Sequence, residues 1–369
     1  MEQFELFDED DQNLYLKRFP TTRYQGSKRK MLLTLANSFS EFNFNTALDL
    51  YSGSGTVSLL LRHLKKNVIA NDYLKYNQNT AEVFLTAKTE DFNKENFIHT
   101  LEYLLKEAPI KNTPLVNENF KDIYYTEEEN LQIDRFCQNL NNVSLSPLLQ
   151  KIAIYCVGQS LLMKRPYNLF HRANLNMRTK NVKRSFGNAK TWETSISKHS
   201  IKIFTELSKF PFAESTGLTP KTLNLNTLEL TKFPTNIDLI YLDPPYMNKK
   251  GTGVDYGNFY HFLDGLIDYR LFANGNNKFA HKPIIRKQPA WSNKNSALQE
   301  LKQVASYWKD AILVISYRND GIPNQNEIAL ALRECGRTSY LSEEISYKYA
   351  LSKGTNTKEQ LIISDPTRA

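Results

Sequence analysis

The sequence has little that would staple or anchor it. Its 369 residues include three cysteines, Cys137, Cys156 and Cys335. An odd number with no close spacing excludes a disulfide framework and a four-cysteine zinc site, and points to a reducing cytoplasm. The six histidines are scattered without metal spacing, so no metal is expected. No apolar run approaches the roughly 18 residues that a membrane span needs; the longest, Ala311 to Ser316 and Ile237 to Leu242, have strand length. The opening stretch MEQFELFDEDDQ holds six acids and no base, which is not the basic start of a secretory signal. Internal repeats and low-complexity tracts are also missing.

Hydrophobic residues form 41% of the chain and charged residues 23%, a globular composition with length for two domains or for one domain carrying a large insertion. Lys and Arg outnumber Asp and Glu by 47 to 39, a net charge of +8 with a pI near 9.1. Such a balance favours a polyanionic partner. The excess is local. Residues 91 to 163 hold ten acids against six bases, whereas residues 164 to 209 hold eleven bases against Glu193 and Glu206 only, a net +9. One segment thus accounts for the basic character of the whole chain.

Four stretches read differently. Residues 1–20 form an acidic leader expected to lie on the surface or to be poorly ordered. From Thr46 the pattern is strand, glycine turn, helix and strand: Ala47 to Tyr51, then Ser52 to Thr56, Val57 to Lys66 and Asn67 to Asn71, a βαβ beginning. Apolar residues then recur at spacings of three and four over Phe97 to Ala108, Glu127 to Leu140 and Pro147 to Met163, which predicts helices. Strand-like runs resume at Lys221 to Leu225, Asp238 to Leu242 and Ala311 to Ser316, with a hairpin expected between Ser346 to Leu351 and Gln360 to Ser364. The reading is an α/β domain of residues 21–88 and 221–369, interrupted by a helical insertion at 89–220.

Asp49-Leu50-Tyr51-Ser52-Gly53-Ser54-Gly55 stands where the first strand hands over to a helix. Glycines there permit a tight turn and close approach of a cofactor to the backbone. A nucleotide-binding dehydrogenase is the usual reading, but Ser58 replaces the third glycine of the dinucleotide fingerprint, and Asp49 would repel a diphosphate while holding an ammonium. Asp72 ends the second strand, placed to accept ribose hydroxyls. Together these features describe a site for S-adenosylmethionine, which has an amino-acid end and a nucleoside end but no phosphate.

Asp243-Pro244-Pro245-Tyr246 follows the apolar run Asp238 to Leu242. Two prolines force the chain out of the sheet in a stiff turn. Asp243 and the carbonyl of Pro244 can accept hydrogens from an exocyclic amine, and Tyr246 can stack on a base. A base within a duplex has to be flipped out to be reached.

The pairing of the DLYSGSG glycine motif with LDPPY, in that order, resembles the amino-group DNA methyltransferases, and within them the Dam-like adenine-specific enzymes. The segment from Arg23 to Lys30 resembles the cofactor-binding segment that precedes their glycine turn. The resemblance implies a Rossmann-like, seven-stranded mixed sheet with an inserted, mainly helical target recognition domain. It implies S-adenosyl-L-methionine as cofactor, contacted by Tyr24, Lys28, Asp49, Tyr51, Gly53, Gly55, Asp72 and Asp243, with Lys28 near the cofactor carboxylate. Catalysis would fall to Asp243, Pro244, Pro245 and Tyr246. Tyr51 stands where the family more often has Phe, and Asn226 where a carboxylate is frequent. In the insertion, Arg172 to Arg178, Phe186 to Asn188 and Trp192 look like family features. Lys164, Arg165, Arg172, Arg178, Lys183 and Arg184, interleaved with aromatics, are expected to meet the phosphates of double-stranded DNA. Asn248 to Gly257 is read as a lid over the flipped base.

The expected activity is methyl transfer to adenine N6 in DNA, by the modification enzyme of a restriction–modification system with a cognate restriction endonuclease as partner, or by a solitary methylase. The alternatives are an RNA adenine or protein-glutamine methyltransferase, a DNA cytosine-N4 methyltransferase, and a DNA-binding protein with a vestigial cofactor site.

Overall fold

A computed structural model describes residues 18–171, 175–178, 188–212, 217–247, 253–284, 289–346 and 358–367. Its strands are β1 (Thr46–Asp49), β2 (Asn67–Asn71), β3 (Lys221–Leu223), β4 (Leu239–Leu242), β5 (Ile312–Arg318), β6 (Tyr340–Ser346) and β7 (Lys358–Ser364). They form one sheet in the order β3-β2-β1-β4-β5-β7-β6. The first five run parallel, and β7 runs antiparallel to both β5 and β6.

Period-two alternation assigns strand residues to two cores. Ala47, Val68, Ala70, Leu239, Tyr241, Val314, Leu361 and Ile363 face one cluster. Leu48, Ile69, Ile240, Leu242, Leu313, Ile315 and Ile362 face the other. A parallel strand apolar on both sides must be covered on both sides. The first face is covered by helices that include α1 (Leu32–Ser40), α2 (Thr56–His63), α3 (Lys75–Thr86) and, further along the chain, α10 (Tyr256–Asp264). The second is covered by α11 (Lys294–Tyr307) and α12 (Gln325–Glu334).

The helical stretch between β2 and β3 contains α4 (Lys94–Glu102), α5 (Leu115–Asn119), α6 (Glu127–Asn139), α7 (Pro147–Met163), α8 (Asn188–Glu193) and α9 (Ile196–Leu207). The start of α7 follows from Ser146, whose hydroxyl caps the amide of Leu149, with Pro147 in the first turn. Buried residues of α4, α6, α7 and α9 belong to the same continuous cluster as the first sheet face, so the stretch packs on the sheet's helices and shares their core. Tyr76 of α3 is wedged against α7, its hydroxyl donating to the carbonyl of Tyr155 and accepting from Gln159.

Two expectations change. Phe19, placed in the leader, is only 2% exposed and packs edge-on to Phe210, as a large aromatic ring gains by burial in a core; residues 1–17 lie outside the described residues. The hairpin partner of β7 is Tyr340–Ser346 rather than 346–351. Pairing Tyr340 with Ile363 and Leu341 with Ile362 matches apolar side chains across the strands, which fixes the register; residues 347–357 lie outside the described residues.

The α3–α7 contact leaves no room at Gly158, where an added Cβ would lie 2.3 Å from the Tyr76 ring. Gly158→Ala is expected to destabilise the protein by about 2–3 kcal/mol through overpacking, despite alanine's better helix propensity. Urea denaturation would measure it, and a variant as stable as the parent would show that this helix pair is not tightly packed.

Candidate functional site

The carboxyl ends of β1, β2 and β4 open on one cleft with about 910 Å³ of unfilled space, part of it open solvent. Asp49 ends β1, Asp72 follows β2 and Asp243 follows β4, and all three line the cleft. Gly53 and Gly55 adopt left-handed backbone, at φ 49° and 71°, which lets the turn fold over the sheet edge without a Cβ clash. The Gly53 amide donates to Asp72 Oδ2 at 2.9 Å and the Leu74 amide to Oδ1 at 2.8 Å, so the turn and the acid hold one another. Tyr24 lies over Gly53 and stacks on Tyr260 at 4.5 Å and on Tyr256 at 5.4 Å.

Burial dominates the electrostatics. It pushes Asp49 up to about 7 against the bond from Ser58, with Asp243 and Asp72 adding repulsion. It pushes Asp72 to about 6, opposed by the two amides. Asp49 Oδ1, Gln25 Oε1 and Ser52 Oγ are buried without a hydrogen-bond partner among the described residues, and all three residues line the cleft. A buried polar group left unpaired costs about 1–3 kcal/mol, so this surplus is suited to a polar ligand.

Behind the cleft lies an ion cluster. Lys28 Nζ is 2.7 Å from Asp243 Oδ1 and Oδ2, 2.8 Å from the Tyr246 hydroxyl and 3.2 Å from Glu359 Oε1. The Tyr246 hydroxyl is also in hydrogen-bond contact with Asp243, at 2.6 Å, and with Glu359, which Ser316 reaches as well. Burial disfavours the Lys28 ammonium, but the two carboxylates hold its pKa well above the ordinary lysine value. Burial raises Asp243, with Lys28 opposing. Pro245 lines the cleft; Pro244 is buried and the Tyr246 ring packs edge-on to Tyr317. The aromatic side chains that line the cleft include Tyr24, Tyr241 and Tyr256.

A family model for the D12 class N6 adenine-specific DNA methyltransferase matches residues 24–306. The chain belongs to this family. No curated protein matches it. The match spans the glycine turn, the helical stretch and the DPPY turn, and the seven-stranded mixed sheet is the S-adenosylmethionine-dependent methyltransferase fold of the family. Membership implies S-adenosylmethionine as the methyl donor.

The basic run requires correction. Lys164 is buried, donating to the carbonyls of Trp192 and Thr194 and pairing with Glu129 at 3.0 Å. Arg165 is buried over the Tyr124 ring and donates to the carbonyls of Tyr124, Leu169 and Leu175. Arg178 makes a two-pronged pair with Glu129 at 2.7 and 2.8 Å. These three cations hold the helical stretch together and are not placed to meet phosphates. Arg172, Lys183, Arg184 and Phe186 to Gly187 lie outside the described residues, as do residues 248–252 of the expected lid.

Two acids went unnoticed in the sequence. Glu359 closes the ion cluster from β7. Glu300 of α11 lines the cleft and accepts hydrogen bonds from the Tyr51 and Thr227 hydroxyls, while burial raises its pKa against those donors. Among the described residues no group of three or more metal-binding side chains occurs, and no helix is long and apolar enough to cross a membrane.

Asp49 sets a pH dependence. Its pKa rises from 3.8 in the unfolded chain to about 7, so between those values the folded protein keeps a proton that the unfolded chain releases. Stability therefore falls as pH rises from about 4 to 7, by at most about 4 kcal/mol from this group. Asp49→Asn should flatten that fall in melting curves recorded across the range, and an unchanged slope would show that Asp49 is ionised in the fold.

Proposed function

We propose that the protein is a site-specific DNA methyltransferase that moves a methyl group from S-adenosylmethionine to N6 of an adenine flipped out of double-stranded DNA. The observation that carries this reading is the row of three carboxylates, Asp49, Asp72 and Asp243, at the carboxyl ends of adjacent parallel strands in one cleft. Ligands of open α/β sheets bind at those ends. The residues fit the methyl donor: the unpaired Asp49 Oδ1 is an acceptor that an ammonium would satisfy, and Asp72 is placed beside the turn for ribose hydroxyls.

S-adenosylmethionine supplies an electrophilic methyl group on a sulfonium. The protein's part is to orient the amine and to favour charge development at it. Asp243 accepts a hydrogen from the amino group, which turns the nitrogen lone pair out of conjugation with the ring and toward the methyl carbon. Tyr256 and Pro245 give the base apolar walls at that end of the cleft. No cysteine lines the cleft, and direct attack by the amine requires no covalent base adduct. The proton that the amine loses leaves past Asp243, whose raised pKa suits it to hold that proton briefly.

Asp243 already holds Lys28 and the Tyr246 hydroxyl, both on Oδ1, and its Oδ2 keeps lone-pair capacity to accept from the amine. Lys28 can stay in place meanwhile, because Glu359 remains as its second carboxylate. A role within a restriction–modification system, beside a cognate endonuclease, and a solitary role are both compatible with this chemistry.

Asp243→Ala is expected to lower methyl transfer to adenine-containing duplex DNA by at least about 10²-fold while binding of the methyl donor persists. Transfer of radiolabelled methyl, with identification of the methylated base, measures it. Full activity in the variant would overturn the mechanism; label on RNA or on cytosine would overturn the substrate.

A further inference from the structure

At the end of the cleft away from Lys28, the turn after β3 meets the second turn of α11. Glu300 is 1% exposed there, and among the described residues its donors are neutral: the hydroxyls of Tyr51 and Thr227, both to Oε1, and the Trp291 indole. Trp291 Nε1 donates in turn to the Tyr51 hydroxyl at 3.0 Å. All four residues line the cleft. A buried carboxylate without a counter-ion is costly, and if the task were only to fill space in this helix, an apolar residue like its neighbours Ala297 and Leu301 would do it at less cost.

The polar loop residue at this end, Asn226, is engaged elsewhere. Asn226 turns its side-chain oxygen to the Leu228 amide at 3.0 Å, and its own amide is held by Glu229. The acceptor at this end of the cleft is therefore Glu300, delivered from the other side of the sheet. Asp49 and Asp72 account for the amino-acid and ribose portions of the methyl donor, which leaves the nucleobase for the Glu300 end.

We propose that Glu300 is the specificity-determining residue for the base of the methyl donor, accepting a hydrogen bond from the exocyclic amine of adenine, with Tyr51 and Thr227 fixing its carboxylate. This rests on the reading that the cleft binds S-adenosylmethionine. It also gives the Tyr51 hydroxyl a purpose: it clamps the acceptor as well as walling the pocket. A site built to receive an amine rejects an analogue that presents a carbonyl oxygen instead, because two acceptors then face one another.

The test is equilibrium binding to the full chain without DNA, read by calorimetry and by Trp291 fluorescence, using S-adenosylhomocysteine and S-inosylhomocysteine. The parent protein is expected to prefer the adenine compound by at least about tenfold. Glu300→Gln, which offers both an acceptor and a donor at the same volume, is expected to lose most of that preference by gaining affinity for the inosine compound. Tyr51→Phe and Thr227→Val, which leave the carboxylate but loosen it, should each reduce the preference in part, and they decide the matter if Glu300→Gln does not fold. Equal preference in parent and variants, or no preference in the parent, would overturn the role of Glu300 and leave the cofactor reading standing. Failure of the parent to bind either compound would overturn the cofactor reading itself.

Discussion

One buried ammonium between two carboxylates ties this corner of the cleft together. Lys28 comes from the segment before the first strand, Asp243 from the exit of β4, and Glu359 from the antiparallel strand β7. Three parts of the chain more than a hundred residues apart thus meet at one point, and the Tyr246 hydroxyl is held within the same cluster. Removing one partner of a buried ion pair typically costs about 3–5 kcal/mol, because the remaining charge is stranded away from water. The cluster therefore does more than stabilise. It fixes where the DPPY turn leaves the sheet, and with it the position of Asp243 relative to Asp49 on the adjacent strand β1.

The cleft in front of that cluster is acidic in excess. Asp49, Asp72 and Glu300 line it with neutral donors as their partners, Ser58, the amides of Gly53 and Leu74, and two hydroxyls, while Lys28 is already shared between two other carboxylates. Such a site repels phosphates. It attracts a ligand carrying positive charge, as an ammonium and a sulfonium do, and the missing third glycine of the dinucleotide fingerprint agrees with it. The raised pKa values of Asp49 and Asp72 express the same imbalance: burial pushes protons onto these groups, and a bound cation would drive them off again.

Much of this was legible from local pattern. Alternation and turn chemistry located β1, β2, β4 and β5 and the glycine and DPPY turns, because those segments are decided by neighbours in sequence. The basic run was misread because a count of charge does not say which way a side chain points. Glu129, which also closes the capping box of α6 with Thr126, takes Lys164 and Arg178. The acidic and basic blocks of the helical stretch, which looked like two surfaces, are in part the two halves of one internal network. Glu300 and Glu359 carried a signal that went unused. Ala297, Leu301 and Val304 mark the apolar stripe of α11, and Glu300 stands on it; Leu361 and Ile363 mark one face of β7, and Glu359 shares their parity. An acid at an apolar position within an amphipathic element has to find partners: Glu359 has an ammonium, and Glu300 has hydroxyls at the cleft.

The same geometry constrains how the proposed reaction would begin. Asp243 holds Lys28 on both oxygens and Tyr246 on Oδ1, so in the proposed reaction Oδ2 is the freer acceptor for an amine. Exchange of one donor for another at that oxygen keeps the number of hydrogen bonds constant, which makes the step inexpensive provided the displaced donor keeps a partner. Lys28 and Tyr246 both do, since each also reaches Glu359. Glu359 thus converts a costly separation of buried charges into a small shift of one ammonium between two carboxylates. The strand that carries it is the antiparallel one inserted beside β5, whose direction brings residue 359 to the carboxyl end of the parallel strands, where the chemistry is.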